Sequence, residues 1–490
     1  MKKFWKRLTS AGLVFCMAAG LTACGGTGKD SNSSVSIDEV EREDLEGVTI
    51  RYAQQMMDGA EIQEVYKEIF SEYEKETGVK VEVENVTGDF RVWLTTQHTA
   101  QNAPDVVVTN PGYAQEDYQK GYVLDLNEYI DEPNPYNSDK TLRETVREEL
   151  LKEVENQNAG ALPVLASGVL GVQIIYNKTA FEDAGITEIP NTYDEFITAC
   201  EKLEQTGITP IALANAAEMN CSTQWWLNSF IPQMDEELRT QLDLNGNMTI
   251  EKNEFVAGTD KGLIDFTQEP FVSAFEYFKS LIPYCNSDFN STTEDQQIDM
   301  WLSGKAAMAL IISVRMRDIS TIEDLGFEYG TMNVPALTED NYSPVTGLHP
   351  YNGGNVTDGY IVTNSGDPLK EAAAIDLVKY MLSPGVVQKL AEKTMLIPST
   401  NDVEIDESLD AWIPTEENQL IYANYFNPAI FKDVNTLLVL SGQLYLTDEM
   451  ELEELLMSLN EEWLASCGKA KQENGWSADN NYGMGTTETE

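Results

Sequence analysis

Apolar positions along this chain switch between a period of two and a period near 3.6, and the switches lay out its elements. Val48 to Ala53 alternates as a strand. Ile62, Val65, Ile69 and Tyr73 then recur at helical spacing across Ala60 to Thr77, and Gly78 ends that helix. Val79, Val81 and Val83 alternate again, a helix is predicted from Asp89 to about Gln101, and Val106 to Val108 is a short buried run after Pro104-Asp105. This βαβαβ order implies a parallel sheet flanked by helices. Ligands of such sheets bind beyond the carboxyl ends of the strands, which directs attention to the loops after Ala53, Val108 and Ala214.

Further along, Val169 to Tyr176 reads as a strand that stops at Asn177-Lys178, followed by a short amphipathic helix ending at Gly185. Thr192 and Glu195 form a capping box, and the helix they open runs to about Gln205 and stops before Gly207. Many α/β domains share such a layout, but the wording here is rarer. It includes Leu162-Pro163, Tyr176-Asn177-Lys178, Phe181-x-x-Ala184-Gly185-Ile186, Pro190-x-Thr192-Tyr193-x-Glu195-Phe196 and Gly207-Ile208-x-Pro210-Ile211-Ala212. It resembles the hinge and second-lobe entry of the family 1 extracellular solute-binding proteins of ABC importers, the carbohydrate-binding, maltose-binding-protein-like group. Met300 to Met308, Phe327 to Pro335, Gly353-Gly354 with Asp358 to Val362, Lys370 to Leu382 and Leu396-Ile397-Pro398 continue the resemblance in family order.

The resemblance implies an α/β, two-lobed periplasmic-binding-protein-like fold of type II. Each lobe would be a mostly parallel sheet flanked by helices and discontinuous in sequence. The expected division is residues 47–162 with 312–355 for the first lobe and 163–311 with 356–468 for the second, with crossings near Leu162, Ile311 and Asn355. The chain end, 469–490, is polar and expected to be disordered.

The chain start carries an address. Lys2, Lys3, Lys6 and Arg7 precede an apolar stretch from Leu8 to Gly20, too short to span a bilayer and suited to a signal peptide over 1–23. Leu21-Thr22-Ala23-Cys24-Gly25 resembles a bacterial lipobox, which implies lipidation of Cys24 and an anchor at the outer face of a bacterial, Gram-positive cell membrane. Residues 24–46, rich in Gly, Ser and acids, read as a flexible tether.

Composition removes several function classes. Acidic residues number 82 against 32 basic ones, a net charge of −50, which repels phosphate backbones and excludes nucleic acid as a partner. With two histidines, His98 and His349, the chain lacks the means for His-based nucleophilic catalysis or a zinc-protease motif. Six cysteines occur; Cys16 leaves with the signal, Cys24 takes the lipid, and Cys200, Cys221, Cys285 and Cys467 match no metal spacing and read mostly as free, buried thiols. Asp243, Asn245, Gly246 and Asn247 fit the middle of an EF-hand loop. Placing Gln241 first and Lys252 twelfth removes its end carboxylates, so a polar turn is expected and no metal or cofactor.

A sugar offers C–H faces to flat rings and hydroxyl rims to planar polar groups. Ligand-contact candidates are therefore Gln54, Met56 and Asp58 after the first strand, Tyr113 after the third, and Trp225 or Trp226 after the Ile211 to Ala214 strand. Adjacent helical residues point about 100° apart, so one Trp faces the cleft and its neighbour the core. Arg315, Tyr351 and Asn352 lie by the interlobe crossings. Family members often carry an aromatic six residues after the Ala-Met methionine, and here Arg315 stands nearby instead. The expected function is non-enzymatic capture of a carbohydrate, an oligosaccharide, by hinge closure and its delivery by a monomeric receptor to ABC permease subunits. The alternatives are a surface-anchored glycoside hydrolase and a sugar-sensing lipoprotein without a transporter.

Overall fold

The structure, a computed structural model, describes residues 36–55, 60–158, 160–216, 222–320, 322–349, 352–413 and 423–484. Its strands are β1 (Thr49–Gln55), β2 (Lys80–Val86), β3 (Val106–Thr109), β4 (Leu165–Asn177), β5 (Thr209–Ala212), β6 (Ala306–Ile312), β7 (Tyr329–Met332), β8 (Asn352–Val362) and β9 (Ile397–Pro398). They follow the path β2-β1-β3-β8-β4-β6-β5, with β7 and β9 also paired to β4. Parallel pairing joins β1 to β2 and β3, and β5 to β6; β8 runs antiparallel to β3 and β4, as β4 does to β6, β7 and β9.

Two long strands tie the halves together. The first part of β4, Leu165–Val172, pairs with β8, and its last part, Val172–Tyr176, pairs with β6. β8 in turn pairs with β3 through Gly359–Val362. The strands approach so closely that a Cβ on Gly359 would meet the Leu165 carbonyl oxygen at 2.5 Å, which reserves that position for glycine.

Buried side chains fall into two clusters. The first gathers Ile50, Tyr52, Ile69, Val106, Ile361 and Leu377 around β1, β3 and the end of β8, and extends over one face of β6. The second gathers Val172, Ile174, Trp226, Phe255, Phe275 and Trp463. The helices Ala60–Thr77 and Tyr193–Thr206 match their predicted spans closely, and Thr192 with Glu195 caps the latter while Gly207 ends it at φ 88°.

Three boundaries differ from expectation. Residues 312–355 divide between the lobes: Met316 and Ile319 bury in the first cluster, while β7 pairs with the second-lobe end of β4 and Val334 and Leu337 join the second cluster. Residues 356–412 belong with the first lobe, since Val356, Leu377, Leu390 and Trp412 bury in its cluster; the chain enters the second again by Ala423. Amphipathic spacing fixes which face of an element is buried, not which core receives it. The tether ends earlier than Glu46: Leu45 is 3 % exposed in the first cluster, and Arg42 stacks on the Tyr136 ring at 4.7 Å. The tail is folded through Met484. The last helix runs Leu452–Asn474, Gly475 ends it, and Trp476, Tyr482 and Met484 are buried in the second cluster.

Cys200, Cys285 and Cys467 are free thiols, while Cys221 and the segment with Cys24 lie outside the described residues. Among the described residues, no helix is long and apolar enough to cross a membrane.

Candidate functional site

The turns after β3 and β6 both face the seam formed by the crossing strands. After β3, Asn110 Nδ2 donates to the Thr357 carbonyl of β8 at 3.0 Å. After β6, the Ser313 hydroxyl accepts from Gly171 N of β4 at 3.3 Å. The carboxyl ends of the parallel strands thus open where the lobes meet, as the sheet order requires.

One cavity there is lined from both lobes and opens to solvent. Asn110, Gly112 and Glu116 line it from the first lobe, and Lys252, Asn427 and Trp476 from the second. Asn110 caps the helix Pro111–Gln119 by accepting from Gly112 N at 2.9 Å, which holds that turn rigid. Lys252 Nζ reaches Glu116 Oε1 at 3.0 Å, and Arg91 Nη2 reaches Glu116 Oε2 at 3.0 Å. Burial pushes the Glu116 carboxyl up, but Lys252 and Arg91 together hold it below its ordinary value. Lys432 and Asp89 make a second tie between lobes at 2.6 Å. On the cavity wall, Glu153 is 9 % exposed and accepts from Val356 N at 3.1 Å; burial pushes its carboxyl up to about 7. The Trp476 indole N–H has no acceptor among the described residues.

A smaller pocket is lined by Ser222, Trp225, Glu294, Gln297, Ile312 and Arg315. It separates the two tryptophans of the helix Ser222–Phe230. Trp225 is half-buried on the pocket wall, whereas Trp226 is 1 % exposed and stacks on Phe230 at 6.1 Å. Trp226 is therefore corrected from candidate contact to core residue. Arg315 pairs with Asp295 at 2.8 Å and with Asp318 at 3.1 Å, so its guanidinium is fixed beside Trp225. Burial, with Asp295 adding to it, pushes the Glu294 carboxyl up to about 7 against the opposing pull of Arg315.

Two other candidates are occupied elsewhere. Gln54 is 2 % exposed; its carbonyl accepts from the Tyr52 hydroxyl at 3.0 Å and its amide donates to Asn85 at 3.1 Å. It braces β1 against β2. The Tyr113 ring lies under the Arg91 guanidinium at 4.7 Å, which makes it a packing contact, and its neighbours Asn110 and Gly112 meet the cavity instead. Met56, Asp58 and Tyr351 lie outside the described residues, and Asn352 is placed only as the first residue of β8.

Sequence reasoning missed Glu116, Glu153, Lys252, Asn427, Trp476 and Asp358. Asp358 sits on β8 with its side chain exposed, yet protein surrounds it closely enough to push its carboxyl up to about 7. The quoted Asp358-Gly359-Tyr360 wording was the available signal for it. Nothing local marks the others, because the cavity joins segments more than a hundred residues apart.

A model of the bacterial extracellular solute-binding protein family matches residues 58–388. The chain belongs to that family. Like this solute-binding protein, several solved structures share the type II two-lobed fold. A chitin oligosaccharide binding protein aligns with a TM-score of 0.64 at 19% identity over 86% of this chain and 99% of that one. The raffinose complex of RafE aligns at 0.62 and 20% identity over 86% and 100%. Maltose-bound MalE3 of T. maritima aligns at 0.63 and 16% identity over 85% and 99%. In sequence, the multiple sugar-binding protein of Streptococcus mutans is 28% identical over 232 residues, 46% of this chain and 47% of that one. The diacetylchitobiose binding protein DasA of Streptomyces coelicolor is 26% identical over 215 residues, 42% and 45%. The matched region spans about half the length of these curated relatives.

Proposed function

We propose that this chain is the sugar receptor of an ABC importer. Lipidated at Cys24 and held at the outer face of a Gram-positive cell membrane, it closes its lobes on an oligosaccharide and presents it to a permease. It acts as a monomer and makes or breaks no bond.

The observation that carries this reading is the double lining of the cavity, with Asn110 and Glu116 on one lobe and Lys252, Asn427 and Trp476 on the other. A ligand shifts an open–closed equilibrium only by its differential affinity for the two states, so a closing ligand must touch both lobes. The lining also suits a polyol. The asparagine amides in the cavity offer planar rims, and in the separate smaller pocket Trp225 offers a flat face beside Arg315 for a sugar's C–H side. Glu153 adds a buried acid to the cavity wall. The two curated relatives being named for sugars supports the same ligand class.

Incubation with labelled oligosaccharides tests the proposal. The expected result is stoichiometric retention of intact ligand. Shortened products would establish a glycosidase instead, and binding by a chain whose loss leaves uptake unchanged would establish a sensor.

A further inference from the structure

The helix Glu236–Leu242 ends one residue before Asp243, and the next helix, Lys252–Asp260, begins after its cap residue Glu251. The loop between them therefore starts at Asp243, not Gln241. Read in that register, Asp243-Leu-Asn245-Gly-Asn247-Met-Thr249-Ile-Glu251-Lys-Asn-Glu254 places oxygen-bearing residues at positions 1, 3, 5, 7, 9 and 12 of a twelve-residue calcium loop. Position twelve is the Glu that such loops use to hold the ion through both oxygens. The turn expected from the sequence becomes a helix–loop–helix.

We propose that residues 243–254 form a calcium site, with Asp243, Asn245, Asn247, Glu251 and Glu254 as side-chain ligands and the Thr249 carbonyl as the backbone ligand. Thr249 and Glu251 also line the cavity between the lobes, so this site adjoins the proposed sugar cleft.

Among the described residues no three carboxylates are already gathered as a metal site, so binding must draw the loop's oxygens together. Asp243 accepts from Asn247 N at 3.1 Å and from Met248 N at 3.3 Å, and Asn245 Oδ1 accepts from Asn247 N at 3.0 Å. Met248, where the pattern has Gly, holds φ 67°. Ile250, at position eight, is 3 % exposed and anchors the loop to the second core. The entering helix is fixed by the buried Arg239–Asp235 pair.

Charge supplies a separate reason for a cation. Glu251 and Glu254 are 5 % and 0 % exposed, and Glu153 at 9 % lies close enough to add to the repulsion on Glu251. Among the described residues no Lys or Arg pairs with any of the three; Lys252 turns outward to Glu116. Glu251 accepts from Asn245 Nδ2 at 3.0 Å and from Asn247 Nδ2. Buried carboxylates without a countercharge are costly, and a divalent cation removes that cost. Two asparagines in place of aspartates lower the site's charge, which sets affinity in the extracellular range of about 10⁻⁴–10⁻³ M.

Titration calorimetry on the whole chain, stripped with chelator, tests this. One calcium ion per chain should bind, with a melting temperature several degrees higher in calcium than in chelator and a smaller rise in magnesium. Glu254→Gln and Asp243→Asn, each checked for fold by circular dichroism, should weaken binding tenfold or more, while Glu74→Gln on the exposed face of Ala60–Thr77 should not. Absence of saturable calcium binding by the unaltered chain, or unchanged binding in both loop variants, overturns the site.

Discussion

Lys252 on the second lobe stands 3.0 Å from Glu116 on the first, so an ion pair spans the edge of the cleft. If the lobes open as proposed, the pair separates and contributes to the closed state alone. Lys252→Met should weaken sugar binding by about 0.5–1 kcal/mol, roughly two- to five-fold. Glu116→Gln should do the same, and the double variant should lose no more than either single one. Calorimetric titration of the variants checks this; additive losses would show that the two side chains act separately.

The adjacent tryptophans should fail in different ways. Trp225→Ala removes a ring from the pocket wall and should cost about 1–3 kcal/mol in ligand binding with little change in melting temperature. Trp226→Ala empties a core position beside Phe196 and Phe230 and should cost about 3–5 kcal/mol in stability. Thermal melts and ligand titrations on the same preparations separate the two outcomes.

Glu294 predicts a pH dependence. Its folded-state value, about 7, lies above the ordinary 4.5, so the folded chain holds this proton more tightly than the unfolded one. Its contribution is favourable at low pH and is lost as pH rises from about 4.5 through about 7. Glu294→Gln should therefore melt higher than the parent at pH 8, with the gap closing towards pH 5. A gap independent of pH would place the effect elsewhere.

The folded tail makes a further claim. Trp476, Tyr482 and Met484 are buried against the second core, and the Tyr482 hydroxyl donates to Asp260 at 3.1 Å. A chain ending at Asn474 should melt several degrees lower than the full chain, as read by calorimetric scanning. An unchanged melt would mean the tail contributes nothing to the second lobe.

Elements with a local signature were legible in the sequence. The Thr192–Glu195 box and Gly207 mark both ends of one helix, and period-two runs mark β1 and β3. The family wording gave the two-lobed order. What stayed hidden depends on distant packing. Residues 356–412 and the tail are amphipathic or polar segments whose core is chosen by tertiary contact, and Glu116 meets Lys252 across 136 positions. Trp225 and Trp226 shared one expectation because a helix separates neighbours by angle, and only its docking against Phe196 and Phe230 says which angle is inside. The loop at Asp243 starts two positions later than its sequence suggests, since the helix end that sets its register carries no strong stop signal.

The central claim is that an oligosaccharide closes the two lobes by touching both. Titration of a panel of oligosaccharides, followed by small-angle scattering at saturation, tests it most directly. The account predicts one ligand that binds with 1:1 stoichiometry and reduces the radius of gyration, with both effects weakened in Trp225→Ala. Saturable binding of a peptide or polyamine with none of any sugar would contradict it.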